Sequence, residues 1–275
     1  SAGNLNIGNL AEGRIPESIF EGVEMPVSIL LSTPSPKQQL FTTNIRRFYA
    51  DEKADFLAGI SYCYHRIIID NHRIGKFGDR TEIRIYDKVS SFKICLGTLA
   101  LNAEGVTLYY QEACRYWAKA ADRRPYFRKN GKESVPSHWR SVPMMSREAA
   151  AFAACVLNSS LFYWYYSAFS DCEHINDKLV RRFPIPLIWN KSKHNWITLC
   201  EDLMDSLDTN SKKKQVSTKQ GHIIEYNEIS GSSSKEKIDI IEKELAKIYG
   251  LSATELDFIV NYDIKYRMGS TGTEP

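Results

Sequence analysis

Lysine and arginine are concentrated in the middle of this 275-residue chain, where they alternate with tyrosine, tryptophan and phenylalanine. Residues 37–140 carry 19 Lys and Arg against 11 Asp and Glu, whereas residues 1–36 and 141–275 have net charges of −3 and −2. Cations at this density can neutralise phosphates, arginine can read base edges, and aromatic rings can stack on bases. The pattern therefore predicts a nucleic-acid surface in the middle of the chain.

The residues expected to contact nucleic acid form two groups. On charge alone, an ordinary solvated basic surface with its aromatic rings in the core accounts for the same residues. The first group is Arg123, Arg124, Arg128, Lys129, Lys132, His138 and Arg140, which are interleaved with Tyr116, Trp117, Tyr126, Phe127 and Trp139. The second group is Arg73, Lys76 and Arg80.

Catalytic and cofactor motifs are missing from the sequence. There is no Pro-Pro pair, no H-E-x-x-H and no G-x-S-x-G, and the glycines of residues 75–78 lack the spacing of a phosphate loop. The six histidines are scattered, and we expect ordinary surface or hydrogen-bonded roles for them. The six cysteines include no C-x-x-C pair, which indicates reduced cytosolic thiols rather than a zinc site. We expect the chain alone to catalyse nothing and to hold neither metal nor cofactor.

The elements that must position the basic residues differ along the chain. Apolar spacing predicts a buried strand that ends at Ser32, an amphipathic helix over 43–62, short strands over 67–101 and one strand over 106–110. Residues 115–140 contain Pro125, Gly131 and Pro136, so we expect a long irregular loop there. This loop would present the first group of cations.

The second half of the chain is predicted to be mainly helical. Helices are expected over 146–168 with Ser146 as N-cap, over 196–207 and over 235–249 with Gly250 as the stop, followed by a capping box at Ser252. Residues 210–234 are expected to form a flexible linker or a projecting hairpin, and the tail from Gly269 to be disordered. We expect most of the aromatic run 162–166 to pack in the core.

The apolar run 149–169 approaches the length of a membrane span, but Asn158, Ser159 and Ser160 interrupt its centre. We therefore expect no membrane contact and a cytoplasmic protein. The chain begins with Ser rather than Met, so we expect it to be a piece of a longer protein.

The order of short motifs along the chain resembles the C-terminal portion of TaqI-like and type IIG adenine-specific DNA methyltransferases of bacterial restriction-modification systems. Each motif is weak alone, and their succession from about residue 20 to residue 268 is more specific. The motifs are V-S-I-L-L (27–31), T-T-N-I-R-R-F (42–48), L-Y-Y-Q-E-A-C-R-Y-W-A-K-A (108–120), S-H-W-R (137–140), L-N-S-S-L-F-Y-W-Y-Y (157–166), F-P-I-P (183–186) and L-D-F-I-V-N-Y-D-I-K-Y-R (256–267).

This resemblance implies a mixed α/β fold, with a strand-rich DNA-recognition body flanked by helices and a C-terminal helical segment. It assigns residues 1–36 to the tail of an upstream catalytic methyltransferase domain, 37–209 to target recognition, 210–234 to the linker or hairpin, 235–268 to the C-terminal helices and 269–275 to the tail. The intact enzyme would transfer a methyl group from S-adenosylmethionine to an adenine flipped out of double-stranded DNA. The chain's partners would be that DNA and the upstream catalytic domain of the same protein. The family's catalytic residues have no counterpart here, and its base-reading residues lie in variable loops, so only their location transfers.

Two other functions remain open on the sequence. One is a non-catalytic specificity subunit that binds DNA for a separate methyltransferase or nuclease. The other is a protein-interaction module that docks a partner through the aromatic helix.

Overall fold

The chain has a mixed α/β fold, as the sequence predicts. The computed structural model describes residues 2–7, 20, 26–34, 36, 39–48, 50–55, 57–65, 69–70, 73–101, 104–114, 116–191 and 195–267. The predicted disordered tail from Gly269, together with Arg66, His72, Arg115 and His194, lies outside the described residues. Arg73 is described only as part of a strand.

The helices and strands have the following bounds. The strands are β1 Ala2–Ile7, β2 Val27–Ser32, β3 Leu40–Thr42, β4 Cys63–His65, β5 Ile69–Asp70, β6 Arg73–Ile74, β7 Ile94–Cys95, β8 Val106–Gln111, β9 Ala120–Ala121, β10 Phe127–Lys129, β11 Lys132–Glu133, β12 Trp139–Met144, β13 Pro184–Ile185, β14 Lys212–Ser217 and β15 Ile223–Glu228. The α-helices are α1 Arg80–Ser90, α2 Arg147–Asn158, α3 Ser160–Phe169, α4 Asp177–Arg181, α5 Trp196–Thr209, α6 Lys235–Tyr249, α7 Ala253–Asn261 and α8 Ile264–Arg267. Short 3₁₀ helices occupy Ala50–Asp55, Leu96–Leu99, Trp189–Lys191 and Ser232–Ser234.

The chain divides into two compact units. The first comprises residues 1–87 and 165–172, and the second comprises residues 88–164 and 173–274. The functional boundaries expected from the sequence, with a catalytic tail up to residue 36, stay a prediction.

The first unit contains a four-stranded sheet in the order β2-β1-β3-β4, in which β1 runs antiparallel to β2 and parallel to β3. Its core includes Phe77, whose ring meets that of Phe169 edge-on at 5.7 Å between centroids. The hydroxyl of Thr42 donates to the carbonyl of Phe77 at 2.8 Å and accepts from its N–H at 3.3 Å, which ties β3 to this core residue.

The second unit is built around α2, which packs against β8 of the three-stranded sheet β12-β8-β9 and against α5 and α6. All residues of α2 from Ala149 to Asn158 are buried. A separate four-stranded antiparallel sheet, in the order β11-β10-β15-β14, joins residues far apart in the sequence. Residues 210–234 thus contain a β-hairpin whose second strand pairs with β10.

Several local predictions from the second half of the sequence are confirmed. The side chain of Ser146 accepts a hydrogen bond from Ala149 N and caps α2. Gly250 ends α6 in a left-handed conformation, and Ser252 forms a capping box with Glu255 at the start of α7. The aromatic run Phe162–Tyr166 is buried, with no side chain more than 2% exposed.

Four predictions are wrong in ways that have a physical reason. The described residues of 43–62 contain a short 3₁₀ helix and no α-helix. Strand β2 is an edge strand on which Leu30 and Leu31 are 68% and 61% exposed. Part of 67–101 forms α1, because Asp79 and Glu82 cap its N-terminus: Thr81 N donates to the Asp79 carboxylate, and the N–H groups of Gly78 and Asp79 donate to Glu82. Residues 115–140 include β9, β10, β11 and the start of β12 rather than one irregular loop, since partners elsewhere in the sequence complete the sheets.

The apolar run 149–169 is two helices separated at Ser159, which has an extended conformation. Among the described residues, no helix has both the length and the apolar character needed to cross a membrane.

Candidate nucleic-acid interface

A groove of about 670 Å³ opens in the second unit between the strand-rich segment 119–139, the end of α5 and strand β15. Three of the residues predicted to contact DNA line it, namely Arg123, Arg124 and His138. Aromatic rings line the same groove and supply flat apolar surfaces beside the cations; they belong to Tyr126, Phe127, Trp139 and Tyr226. The groove therefore combines the two residue types whose alternation predicted a nucleic-acid surface.

Arg123 is paired with carboxylates of its own chain. Its Nη1 lies 3.2 Å from Asp205 Oδ1 and 3.9 Å from Asp208 Oδ2, and its Nε lies 3.7 Å from Asp122 Oδ1. Partial burial raises the pKa of Asp208, and the charge of Arg123 acts in the opposite direction. The positive charge of Arg123 is thus largely balanced before any ligand arrives.

Arg124 is in the opposite situation. Its side chain is exposed at the groove, and no carboxylate of the described residues lies within 4.0 Å of it. His138 is also exposed at the groove. Arg124 is therefore the stronger candidate for contact with an external anion.

Tyr126 forms the outer aromatic wall of the groove. Its hydroxyl donates to Glu225 Oε2 at 3.2 Å, and the ammonium of Lys213 lies 5.6 Å from its ring centroid. These contacts restrain a ring that is 38% exposed, so it presents a prepared surface for stacking.

The remaining residues of the first predicted group lie on neighbouring strands. Arg128 and Lys129 belong to β10, and Lys132 belongs to β11. Arg140 lies on β12 next to Trp139 and forms an ion pair with Glu112. The structure thus collects this group around the groove, with Arg123 and Arg140 already engaged by acidic side chains.

The second predicted group lies in the first unit. Lys76 is half-buried and its ammonium donates to the carbonyl of Ser170 at 2.5 Å, with Cys172 Sγ 3.7 Å away. Burial of the ammonium lowers the pKa of Lys76. Arg80 is exposed at the start of α1. Lys76 therefore holds its own unit together, while Arg80 remains open to solvent.

The Asn-Ser-Ser break between α2 and α3 holds Ala120, a residue of the groove wall, through hydrogen bonds. The side chain of Asn158 donates to Ala120 O at 2.8 Å and accepts from Ala120 N at 3.3 Å, and Ala120 lines the groove. The indole N–H of Trp117 donates to Asn158 O at 3.1 Å. Ser159 Oγ accepts from Phe162 N at 3.1 Å and so caps α3. The motif that pointed to a family is therefore a buried polar support for β9.

Two buried charges lie beside this break. Glu242 accepts a hydrogen bond from Ser160 N, and burial raises the pKa of its carboxyl. The guanidinium of Arg267 lies 4.1 Å from the ring centroid of Tyr163 and donates to the carbonyls of Tyr116 and Tyr262 at 3.0 and 3.2 Å. Burial lowers the pKa of Arg267. The C-terminal helices thus anchor the segment that leads into the groove.

No family model, curated protein or solved structure matches this chain. Its function must therefore be argued from the groove and its surroundings.

Sequence reasoning missed the lysines of β14, because residues 210–234 had no assigned role beyond a linker or hairpin. Lys212, Lys213 and Lys214 are consecutive and exposed on this edge strand. The alternation of the apolar Ile224 and Tyr226 with the polar Glu225 and Asn227 in β15, with Gly221 before it, was a strand signal that could have revealed the hairpin.

Proposed function

We propose that this chain is the target-recognition region of a bacterial adenine-specific DNA methyltransferase of a restriction-modification system, and that its groove receives double-stranded DNA. The observation that carries the proposal is Arg124, an uncompensated cation within a groove walled by Tyr126, Phe127 and Trp139. DNA supplies both complements, because phosphates and base edges accept from arginine, and base faces stack on aromatic rings.

The succession of motifs that resembles the adenine methyltransferases supports the same proposal. In that interpretation the chain selects the sequence, and the upstream catalytic domain binds S-adenosylmethionine and the flipped adenine. The six free thiols agree with a reducing, cytoplasmic location.

Gly75 and Gly78, which the sequence places close together, do not fit a cradle for S-adenosylmethionine. A Cβ at Gly75 would lie 2.3 Å from the ring of Phe77, and one at Gly78 would lie 2.8 Å from Asn44 N. These glycines allow close packing with their own unit rather than the approach of a cofactor. We therefore assign no catalytic step to this chain.

Of the two alternative functions, the structure is compatible with a specificity subunit and disfavours a docking module. A non-catalytic specificity subunit would use the same groove, and sequence upstream of Ser1 distinguishes it from a methyltransferase. A docking module based on the aromatic helix is disfavoured, because the side chains of Phe162–Tyr166 are buried.

Fluorescence anisotropy with a mixed-sequence duplex tests the proposal. We expect binding of the chain to weaken about tenfold or more between roughly 50 and 200 mM salt, because cations displace counterions from phosphates. Arg124→Ala should weaken binding about tenfold, within the range for loss of a base-reading arginine. The matched control is Arg84→Ala, which removes an exposed arginine of α1 outside the groove and should change binding less than about twofold. Binding that does not depend on salt concentration, or an equal loss of affinity in both variants, would contradict the proposal.

A further inference from the structure

The sheet formed by β11, β10, β15 and β14 has two faces of different charge. Residues paired across antiparallel strands share a face, and successive residues alternate between faces. Lys129 is opposite Lys132 on one side and Ile224 on the other, and Ile224 is opposite Val216. Alternation along β14 places Lys212 and Lys214 on the same face as Val216. We call the face that contains Lys129, Lys132, Lys212 and Lys214 the lysine face.

The opposite face is electrically balanced. Arg128 is opposite Glu133 and Glu225, and Lys213 is opposite Asn227. Its two cations therefore accompany two carboxylates. The strand register places one carboxylate on the lysine face, that of Glu228. It lies 3.5 Å from the ammonium of Lys214.

The other three lysines of this face are uncompensated. Lys129, Lys132 and Lys212 are exposed, and within the described ranges none of them has a carboxylate within 4.0 Å. The four strands are about 4.8 Å apart, so the lysines spread over about 14 Å across the sheet. Along one strand, successive residues on the same face are about 7 Å apart. One DNA strand presents a phosphate for about every 3.4 Å of helix axis, so the face matches the length of about four phosphates.

The lysine face is continuous with the groove. Phe127 and Tyr226 are register partners, lie on this face and line the groove. Glu228 also lies on the lysine face and lines the groove. A duplex whose phosphates follow the lysines would therefore bring its bases to the groove that contains Arg124.

We propose that the lysine face binds the sugar-phosphate backbone of the duplex whose bases approach the groove. This inference rests on the proposed function and extends it, because it assigns the hairpin β14–β15 a role as the phosphate clamp. The lysines bind without regard to sequence, whereas the groove discriminates between bases.

The salt dependence of DNA binding tests the assignment. The triple variant Lys129→Gln, Lys132→Gln, Lys212→Gln should lower the slope of log affinity against log salt by about 2 to 3, at about 0.9 for each phosphate contact. Its control removes three exposed lysines that lie neither on this face nor at the groove, by Lys93→Gln, Lys178→Gln and Lys243→Gln. The control should retain the parental slope within about 0.5, because its charges do not face phosphates. Circular dichroism should show the same fold for all three proteins, since every substituted side chain is exposed.

Equal slopes for the two triple variants, whether reduced or unchanged, would overturn the assignment to the lysine face. In that case the parental chain still binds in a salt-sensitive way, and the proposed function stands. Absence of salt-sensitive binding by the parental chain would overturn the proposed function together with this inference.

Discussion

The carboxamide of Asn158 pairs with both backbone groups of Ala120, a residue 38 positions earlier in the sequence. Its Nδ2 also donates to Ala154 O at 2.8 Å, so the amide joins the last turn of α2 to β9 inside the core. Because these groups are buried, each hydrogen bond that is lost leaves an unsatisfied polar atom. The helix break thereby positions one wall of the groove.

Replacement of Asn158 should be strongly destabilising. Asn158→Leu retains the approximate size of the side chain but leaves both polar groups of Ala120 without this partner. We expect the free energy of unfolding to fall by about 2–4 kcal/mol, measured by urea denaturation. Asn261→Ala provides a control, because the side chain of Asn261 is exposed and, within the described part of the chain, bonds to Asp257 on the same helix. A loss for Asn158→Leu no larger than that of the control would show that the pairing does not support the fold.

Neutralisation of Asp205 should strengthen DNA binding. Asp205→Asn removes the carboxylate closest to Arg123 and leaves the longer contacts to Asp208 and Asp122, so that cation becomes more available to a phosphate. Affinity at low salt should rise about two- to fivefold, with a salt slope steeper by up to about 0.9. Stability should change by less than about 1 kcal/mol, because the ion pair is exposed.

The matched control for that change is Asp202→Asn on the same helix. Asp202 pairs with Lys237 at 3.6 Å and does not line the groove. Asp202→Asn alters the net charge by the same amount as Asp205→Asn. An equal gain in affinity for both variants would therefore show that the gain does not come from the lost Asp205–Arg123 ion pair.

The buried carboxyl of Glu242 should make stability depend on pH. Its pKa is raised by burial, so its folded state holds the proton more tightly than the unfolded chain does. The stability that the Glu242 carboxyl contributes is fully present below its pKa in the unfolded chain, and it is lost as pH rises through its pKa in the folded protein. Glu242→Gln should therefore gain stability relative to the parental chain as pH rises above about 4, by about 1.4 kcal/mol for each unit of pKa elevation. Urea denaturation across this range measures the difference, and a relative loss with rising pH would contradict the assignment.

Gly250 provides a test of backbone conformation alone. It has a φ of +66° at the end of α6, and a Cβ there would have no neighbour within 4 Å. Gly250→Ala should cost about 1 kcal/mol from the left-handed conformation rather than from a clash. Gly250→Asn should cost less, because asparagine tolerates this region, and thermal denaturation should rank the three proteins accordingly. An equal cost for Ala and Asn would argue against conformational strain as the cause.

Local signals made much of the helical half predictable. Ser146, Gly250 and the Ser252 capping box each act within one turn of a helix, so neighbouring residues are sufficient to indicate the boundary. The N-terminal caps that Asp79 and Glu82 form were an equally local signal for α1. It was outweighed by the alternation of Ile83 and Ile85, which looks like a strand.

The candidate site was predictable as a region. Arg123, Arg124 and His138 are near one another in sequence and line one groove in the structure. Their electrostatic states could not be predicted, because Asp205 and Asp208 approach Arg123 from α5, more than 80 residues later. The strength of an ion pair depends on distance in space, and a count of charges along the chain contains no such distance.

The sequence by itself determined that the chain is a mixed α/β protein, with a central basic and aromatic segment and a C-terminal helical region. Only the tertiary structure decided that β10 pairs with β15, since Phe127 and Tyr226 are 99 positions apart. That pairing gathers Lys129, Lys132, Lys212 and Lys214 on one face. Sheet register is set by contacts between distant strands, so it becomes known only when those strands are brought together.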